Sequence, residues 1–296
     1  MIGDLGLGKR EMQRGRASTC LAARRPGRIF RKTLAPLSIL VIMSLGSAGC
    51  AQQPATERIS DVALNTLAQK TIFFGHQSVG WNIIQGIERV IKAQPGAQLT
   101  ITKAEGISGV PTPALIHTEV GRNSEPMSKL QAFERFVRGG VGDRADIALF
   151  KFCYVDFDKT TDIDQLFAAY KQTMADLSNA YPRTRFAYVT APLMAPEQGV
   201  KSFLNGLLGR NDAARANLKR HQFNEILRRE YAATGALFDL AKVEATYPDG
   251  GVCTVSVDSQ SAECLAPTYT DDGGHLNELG GELVARQFLE FLATLR

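Results

Sequence analysis

From residue 58 onwards, short runs of β-branched and aromatic residues alternate with longer stretches whose apolar positions recur every three or four residues. The short runs predict strands at Thr71 to Phe74, Leu99 to Lys103, Asp146 to Phe152, Arg185 to Thr190 and Ala236 to Phe238. The longer stretches predict helices near 59–69, 79–93, 126–138, 161–180, 212–233 and 276–295. In the second of these, Val79, Ile83, Ile84, Ile87, Val90 and Ile91 form one buried stripe. Such alternation predicts an α/β layer structure with a mainly parallel sheet. Residues 192–211, with Pro192, Pro196, Gly199, Gly206 and Gly209, read as a long loop, a kind of segment that is often functional. No linker divides 58–296, so a single domain is expected there.

The first 57 residues follow another pattern. Arg24, Arg25, Arg28, Arg31 and Lys32 precede the apolar run Thr33 to Leu45, which ends in Gly46, Ser47, Ala48 and Gly49. That is the layout of a secretory signal peptide over 1–49, and its apolar run is short of the roughly 20 residues a membrane span needs. Its basic part is longer than such a leader requires, which a true start downstream of Met1 would explain. Cys50, followed by Ala51-Gln52-Gln53-Pro54, has the form of a bacterial lipoprotein acceptor, although Ser47 stands where such signals usually carry Leu. Ordinary signal-peptidase cleavage nearby is the alternative. Both readings export the protein, to the periplasm or outer envelope or into the medium, with residues 50–57 as a tether.

This leader also accounts for the basic charge. Of 34 Lys/Arg and 30 Asp/Glu, nine and two lie in the first 50 residues, which leaves 25 basic against 28 acidic side chains. The remainder carries no Lys/Arg stripe with interleaved aromatics, so no nucleic-acid partner is expected. Contact with a membrane is expected only through a lipid on Cys50. Beyond Cys20 and Cys50 three cysteines remain. Cys253 and Cys264 flank the polar loop Thr254 to Glu263, a pair that commonly closes a disulfide in an oxidising compartment. Cys153, in an apolar run, reads as a buried thiol.

Two segments carry candidate chemistry. Gly75-His76-Gln77-Ser78-Val79-Gly80 joins the first strand to the second helix. A serine there sits at the carboxyl end of a parallel strand, where open α/β sheets bind ligands, and at a helix N-terminus that favours a developing oxyanion. Its plain alternative is a helix cap. The second segment, Asp271-Asp272-Gly273-Gly274-His275-Leu276-Asn277-Glu278, precedes the last helix. A serine hydroxyl needs a base, and an imidazole serves when a carboxylate fixes its tautomer. Asp272 and His275 can supply both from one turn. The rival readings are a polar helix start with Asp and Asn caps, or an Asp/Asp/His metal cluster whose remaining ligands cannot be located.

A serine after the first core strand, with Asp-x-x-His before the last helix, resembles the SGNH/GDSL hydrolase superfamily over about residues 70–296. The resemblance implies a three-layer α/β/α sandwich, flavodoxin-like, around a central, mainly parallel sheet of five strands. It implies Ser78, His275 and Asp272 as a catalytic triad with no metal or organic cofactor. His76-Gln77-Ser78 falls on the family's Gly-Asp-Ser, so only the serine matches. Where the family has Gly-x-Asn-Asp after its third core strand, this chain has Cys153-Tyr154-Val155-Asp156, and Val155 has no side chain able to donate to an oxyanion. The family's second block places a glycine in a loop that falls on Glu105 to Gly109, where Gly109 is favoured over Gly106. Tyr154, His76, Gln77 and Asp156 are further candidates for the oxyanion or substrate wall, each with a packing or surface role as its alternative.

The implied activity is that of an exported serine esterase, with an ester or acetylated carbohydrate as substrate. An O-acetyltransferase using the same triad and a catalytically silent envelope binding protein are the alternatives. Among the remaining polar residues, His117 reads as a surface loop residue, His221 as a surface helix residue, and Lys151 as a strand-end lysine reaching solvent. Trp81 and Phe73 flank Ser78 as pocket wall or core packing.

Overall fold

The computed structural model describes residues 58–197, 212–257 and 259–296. The expected signal peptide, Cys20, Cys50, the tether and the 198–211 part of the expected long loop lie outside these residues.

Six strands form the central sheet: β1 (Ile72–His76), β2 (Ile101–Lys103), β3 (Leu115–Glu119), β4 (Ile147–Phe150), β5 (Arg185–Val189) and β6 (Leu237–Phe238). Their order is β2-β3-β1-β4-β5-β6, and every neighbouring pair is parallel. The five expected strands are all present, but the expected count of five is corrected to six. The added strand, β3, lies beside β1 with Gly75 opposite Thr118. Its His117 and Thr118 break the apolar run, and Pro111 and Pro113 just before it signal a loop. Both faces of the strand are nevertheless covered, so His117 and Thr118 are buried with its apolar residues.

Helices cover the two faces. On one lie α1 (Asp61–Leu67), α2 (Ser78–Lys92) and the C-terminal α7 (Glu278–Thr294). On the other lie α3 (Pro126–Phe136), α4 (Ile163–Ala180) and α5 (Asp212–Tyr231), whereas the short α6 (Leu240–Ala245) joins the core of the first face. The period of two along β1 separates two cores. Ile72 and Phe74 join Ile83, Ile87, Val284 and Phe288, whereas Phe73 joins Phe133, Phe150, Tyr170 and Phe223. Burying each of these large side chains contributes about 1.5–3 kcal/mol. Phe73 is therefore core and not pocket wall.

α2 and α7 cross at two glycines. A Cβ on Gly86 would collide with the Gly281 carbonyl, so Gly86 needs hydrogen as a side chain for the axes to come this close, and a Cβ on Gly281 would press on the Asn82 carbonyl. This crossing matters to the site, because Ser78 begins α2 and His275 lies just ahead of α7.

The expected polar loop Thr254 to Glu263 is corrected to a hairpin. Antiparallel strands β7 (Thr254–Val257) and β8 (Gln260–Glu263) pair residue for residue, and the Cys253–Cys264 disulfide closes their base.

Candidate active site

β1 is flanked by β3 and β4, so the loops at the carboxyl ends of those three strands surround the start of α2. They are His76–Ser78, Val120–Glu125 and Lys151–Asp156. The segment Asp271–Asn277, ahead of α7, provides the remaining chemical groups.

Ser78 is the first helical residue of α2, and the cap position belongs to Gln77. No side chain caps this helix, because the Gln77 amide instead donates to the carbonyls of Val120 and Gly121, each at 3.0 Å. Since Trp81 N–H is the first to bond back, to Gln77 O at 3.2 Å, the N–H groups of Ser78, Val79 and Gly80 have no partner inside the helix. They and the helix dipole favour negative charge beside the Ser78 hydroxyl. That half-buried hydroxyl is not a cap, and its one hydrogen-bond partner among the described residues is Cys153 Sγ at 4.0 Å.

Asp272 organises its own turn. One carboxylate oxygen accepts from Gly274 N–H (2.9 Å) and His275 N–H (2.8 Å), and the other meets His275 Nδ1 at 2.6 Å. Burial alone would raise the Asp272 carboxyl, but these N–H groups and the imidazole outweigh it and hold it well below the usual range. An anionic partner at Nδ1 makes that nitrogen the donor and leaves Nε2 as an acceptor. The Tyr154 hydroxyl meets Nε2 at 3.4 Å. Burial raises the pKa of Tyr154, which keeps it a proton donor.

The structure thus joins Asp272 to His275, while no hydrogen bond links His275 to Ser78. Asn82, one turn beyond Ser78, accepts from Leu276 N–H at 3.3 Å and ties α2 to the residue after His275. Asn277, not Asp272, caps α7 through Gly280 N–H. The chain also anchors this turn from the β5 side. Ala195 N–H donates to Gly273 O, and the Ala191–Met194 stretch before it is gripped by buried Asn224, Glu244 and Asn217.

Other expected site residues fall elsewhere. His117 is buried in β3, not on the surface, where its Nδ1 lies 3.0 Å from His76 Nε2. His76 Nδ1 faces the Gln77 carbonyl at 2.9 Å, so both its nitrogens are used inside the protein and neither faces a substrate. Burial lowers His76 to about 3 and His117 to about 4, which makes a neutral pair. Lys151 is also corrected from solvent to interior: it is 1% exposed and donates to Phe152 O at 3.2 Å. Burial lowers its pKa as well. Asp156 is buried with both oxygens bonded to protein, which withdraws it from a substrate wall. Gly109 is exposed in the loop after β2, and β3 stands between that strand and β1. Trp81 is 41% exposed, its ring tilted against that of His117, with Lys103 Nζ 5.9 Å from its ring centre. His221 is half-buried, with Nδ1 3.8 Å from Glu263.

Sequence reasoning missed Gly121, Asn123 and Lys129. Lys129 is fully buried, donating to Asp156 Oδ1 and Oδ2 (2.7 and 2.6 Å) and to Asn123 Oδ1 (3.0 Å). Its signal was present in the pattern, because Lys129 stands four residues before Phe133 on the apolar face of α3. Among the described residues no cluster of three or more His, Cys, Asp or Glu could hold a metal ion.

No protein-family model matches the chain, and no curated protein does. Several solved structures share its chain trace. A protein from Streptococcus pneumonia described as a candidate platelet activating factor has 14% identity and a TM-score of 0.46, covering 79% of this chain and 92% of that one. A candidate lipolytic protein of the G-D-S-L family from Desulfitobacterium hafniense DCB-2 has 9% identity and a TM-score of 0.41, covering 75% and 99%. The periplasmic domain of a lipopolysaccharide acetyltransferase from Salmonella ser. Paratyphi A has 13% identity and a TM-score of 0.39, covering 75% and 84%. These are likenesses of backbone arrangement and say nothing of the chemistry at Ser78.

Proposed function

We propose that residues 58–296 form an acyl-transfer domain of the SGNH type, a serine esterase with Ser78 as nucleophile, His275 as base and Asp272 as its orienting carboxylate. The observation that carries this reading is the 2.6 Å Asp272–His275 pair, tied through Asn82 to the helix whose uncapped N-terminus bears Ser78. In the reaction His275 Nε2 exchanges Tyr154 for Ser78 and takes the serine proton as Oγ adds to the ester carbonyl. The resulting imidazolium is stabilised by Asp272 and returns its proton to the departing alcohol. Water, activated by the same imidazole, then releases the acyl group from Ser78.

The open setting of His275 and Asp272, 38% and 57% exposed at their side chains, suits an ester carried on a bulky alcohol such as a carbohydrate. A sugar hydroxyl replacing water in the second step would make the enzyme an O-acetyltransferase. Export is part of the proposal, supported by the leader pattern and by the Cys253–Cys264 disulfide.

A catalytically silent binding protein on the same fold is the second reading. It is favoured by the Tyr154 contact that occupies Nε2 and by Val155 at the family's Asn position. Reaction with a fluorophosphonate separates the two, because only an activated serine is phosphonylated. Wild-type protein is expected to label at Ser78 and to release p-nitrophenol from p-nitrophenyl acetate, and Ser78→Ala to do neither. Undiminished hydrolysis by Ser78→Ala would end the assignment, and a wild-type protein inert in both assays would favour the silent reading.

A further inference from the structure

We infer that Asn123 supplies the oxyanion donor that Val155 cannot, and that the buried Lys129–Asp156 pair is the device that aims it. This rests on Ser78 as the nucleophile.

Position comes first. Asn123 belongs to the loop after β3, the strand hydrogen-bonded to β1, and Gln77 clasps that loop through the Val120 and Gly121 carbonyls. The residue next to Ser78 therefore holds the Asn123 loop directly. Gly121, at φ +59°, lets the chain turn against α3 where a Cβ would collide with the backbone of Lys129. Ser124 follows at φ 64°, a left-handed conformation rare for a residue with a side chain, at the point where its N–H reaches Asp156 Oδ1 at 3.0 Å.

Orientation follows from chemistry. Lys129 Nζ can only donate, so the amide atom it meets at 3.0 Å is the oxygen of Asn123. The Nδ2 hydrogens then point away from Lys129, have no partner among the described residues, and belong to an exposed side chain. A fixed amide with a free N–H₂, in a loop clasped by the residue before the nucleophile, meets what an oxyanion donor requires.

The support beneath it spans both flanking loops. Asp156, in the loop after β4, accepts from Ser124 N–H, from Cys153 N–H (2.6 Å) and from Lys129. Cys153 in turn lies against the Ser78 hydroxyl. A fully buried ion pair repays its desolvation poorly as a source of stability, whereas this one ties α3 to the loop after β4, and the Ser124 N–H on the same carboxylate adds the loop after β3. As Oγ adds to the carbonyl carbon and its proton moves to His275 Nε2, the C=O π pair passes onto the carbonyl oxygen. Asn123 Nδ2–H and Ser78 N–H receive that charge, and no atom leaves either donor.

The test compares p-nitrophenyl acetate hydrolysis by Asn123→Ala, Asn123→Asp, Lys129→Met and Asn123→Ala/Lys129→Met with the wild type and Ser78→Ala. Asn123→Ala is expected to lose about 10²- to 10³-fold in kcat with little change in KM, with fluorophosphonate labelling slowed in parallel. Asn123→Asp, which keeps the shape and removes the donor, should fall as far. Lys129→Met should fall with it, and the double variant no further than the worse single, because Lys129 acts through Asn123. Since Asn123 is exposed, its variants should keep the wild-type melting temperature, and they decide the matter if Lys129→Met does not fold. Asn123→Ala within threefold of wild type, beside an inactive Ser78→Ala, would overturn the inference alone. An active Ser78→Ala, or an inert wild type, would overturn the nucleophile and this inference together.

Discussion

Tyr154 places its hydroxyl 3.4 Å from His275 Nε2, the atom that receives the Ser78 proton in the proposed reaction. With Nδ1 donating to Asp272, Nε2 has one lone pair, and Tyr154 holds it in this structure. Releasing that bond is a cost of reaching the reactive arrangement, on the order of 0.5–1.5 kcal/mol. Tyr154→Phe is therefore expected to raise kcat/KM on p-nitrophenyl acetate by about two- to tenfold. A fall of a hundredfold would show instead that the hydroxyl takes part in the chemistry.

Asp272→Asn separates orientation from simple packing. The amide can keep the hydrogen bonds to Gly274 and His275 N–H, so the turn should hold its shape. Where it faces Nδ1, however, it can offer an N–H and so turn the tautomer, leaving Nε2 protonated and unable to act as base. The expected loss is about 10⁴-fold in kcat with an unchanged melting temperature. Loss of activity accompanied by a large drop in melting temperature would mark Asp272 as structural only.

The sequence carried the layer pattern because strands and amphipathic helices differ in period, and five of the six strands followed from it. β3 escaped because it is buried on both faces while containing His117 and Thr118, and the partner of His117, His76, is 41 positions away. The proposed triad of Ser78, Asp272 and His275 was read from places relative to the first strand and the last helix, and of it the structure shows the Asp272–His275 bond. Asn123 and Lys129 were not legible in this way, because their meaning depends on β3 being the neighbour of β1, which only topology reveals. Asp156 was legible as a residue but not as a role. The family resemblance suggested a substrate wall, and its burial against Lys129 and Ser124 N–H makes it a fastening of its loop to α3 and to the loop after β3.

The glycine crossing gives a prediction far from the chemistry. Gly86→Ala puts a Cβ against the Gly281 carbonyl, and a backbone atom cannot swing aside as a flexible side chain could. α2 and α7 must separate, at about 1–3 kcal/mol of stability. Because Ser78 begins one helix and His275 precedes the other, kcat is expected to fall tenfold or more at temperatures where the variant remains folded. Chemical denaturation with kinetics on the same sample checks both parts. Wild-type kcat in a destabilised variant would show that the crossing does not set the site.

The His76–His117 pair makes stability depend on acid pH, and the direction follows from its depressed pKa values. In the unfolded chain both imidazoles take up protons near 6.5, while burial delays uptake in the folded protein to about 4 for His117 and about 3 for His76. Between pH 6.5 and 4 the unfolded state binds more protons. Stability should thus fall as pH drops through that window, by about 1.4 kcal/mol per pH unit for each proton taken up. Urea unfolding at pH 7, 6, 5 and 4.5 measures the slope, and His117→Gln should flatten it. The chain's single tryptophan supplies a local readout, since the Trp81 ring lies against His117 with ring centres 5.7 Å apart. An imidazolium quenches indole fluorescence, so emission from the folded protein should drop with a midpoint near 4 and stay level in His117→Gln. A midpoint at 6.5 in the folded wild type would mean that His117 is open to water.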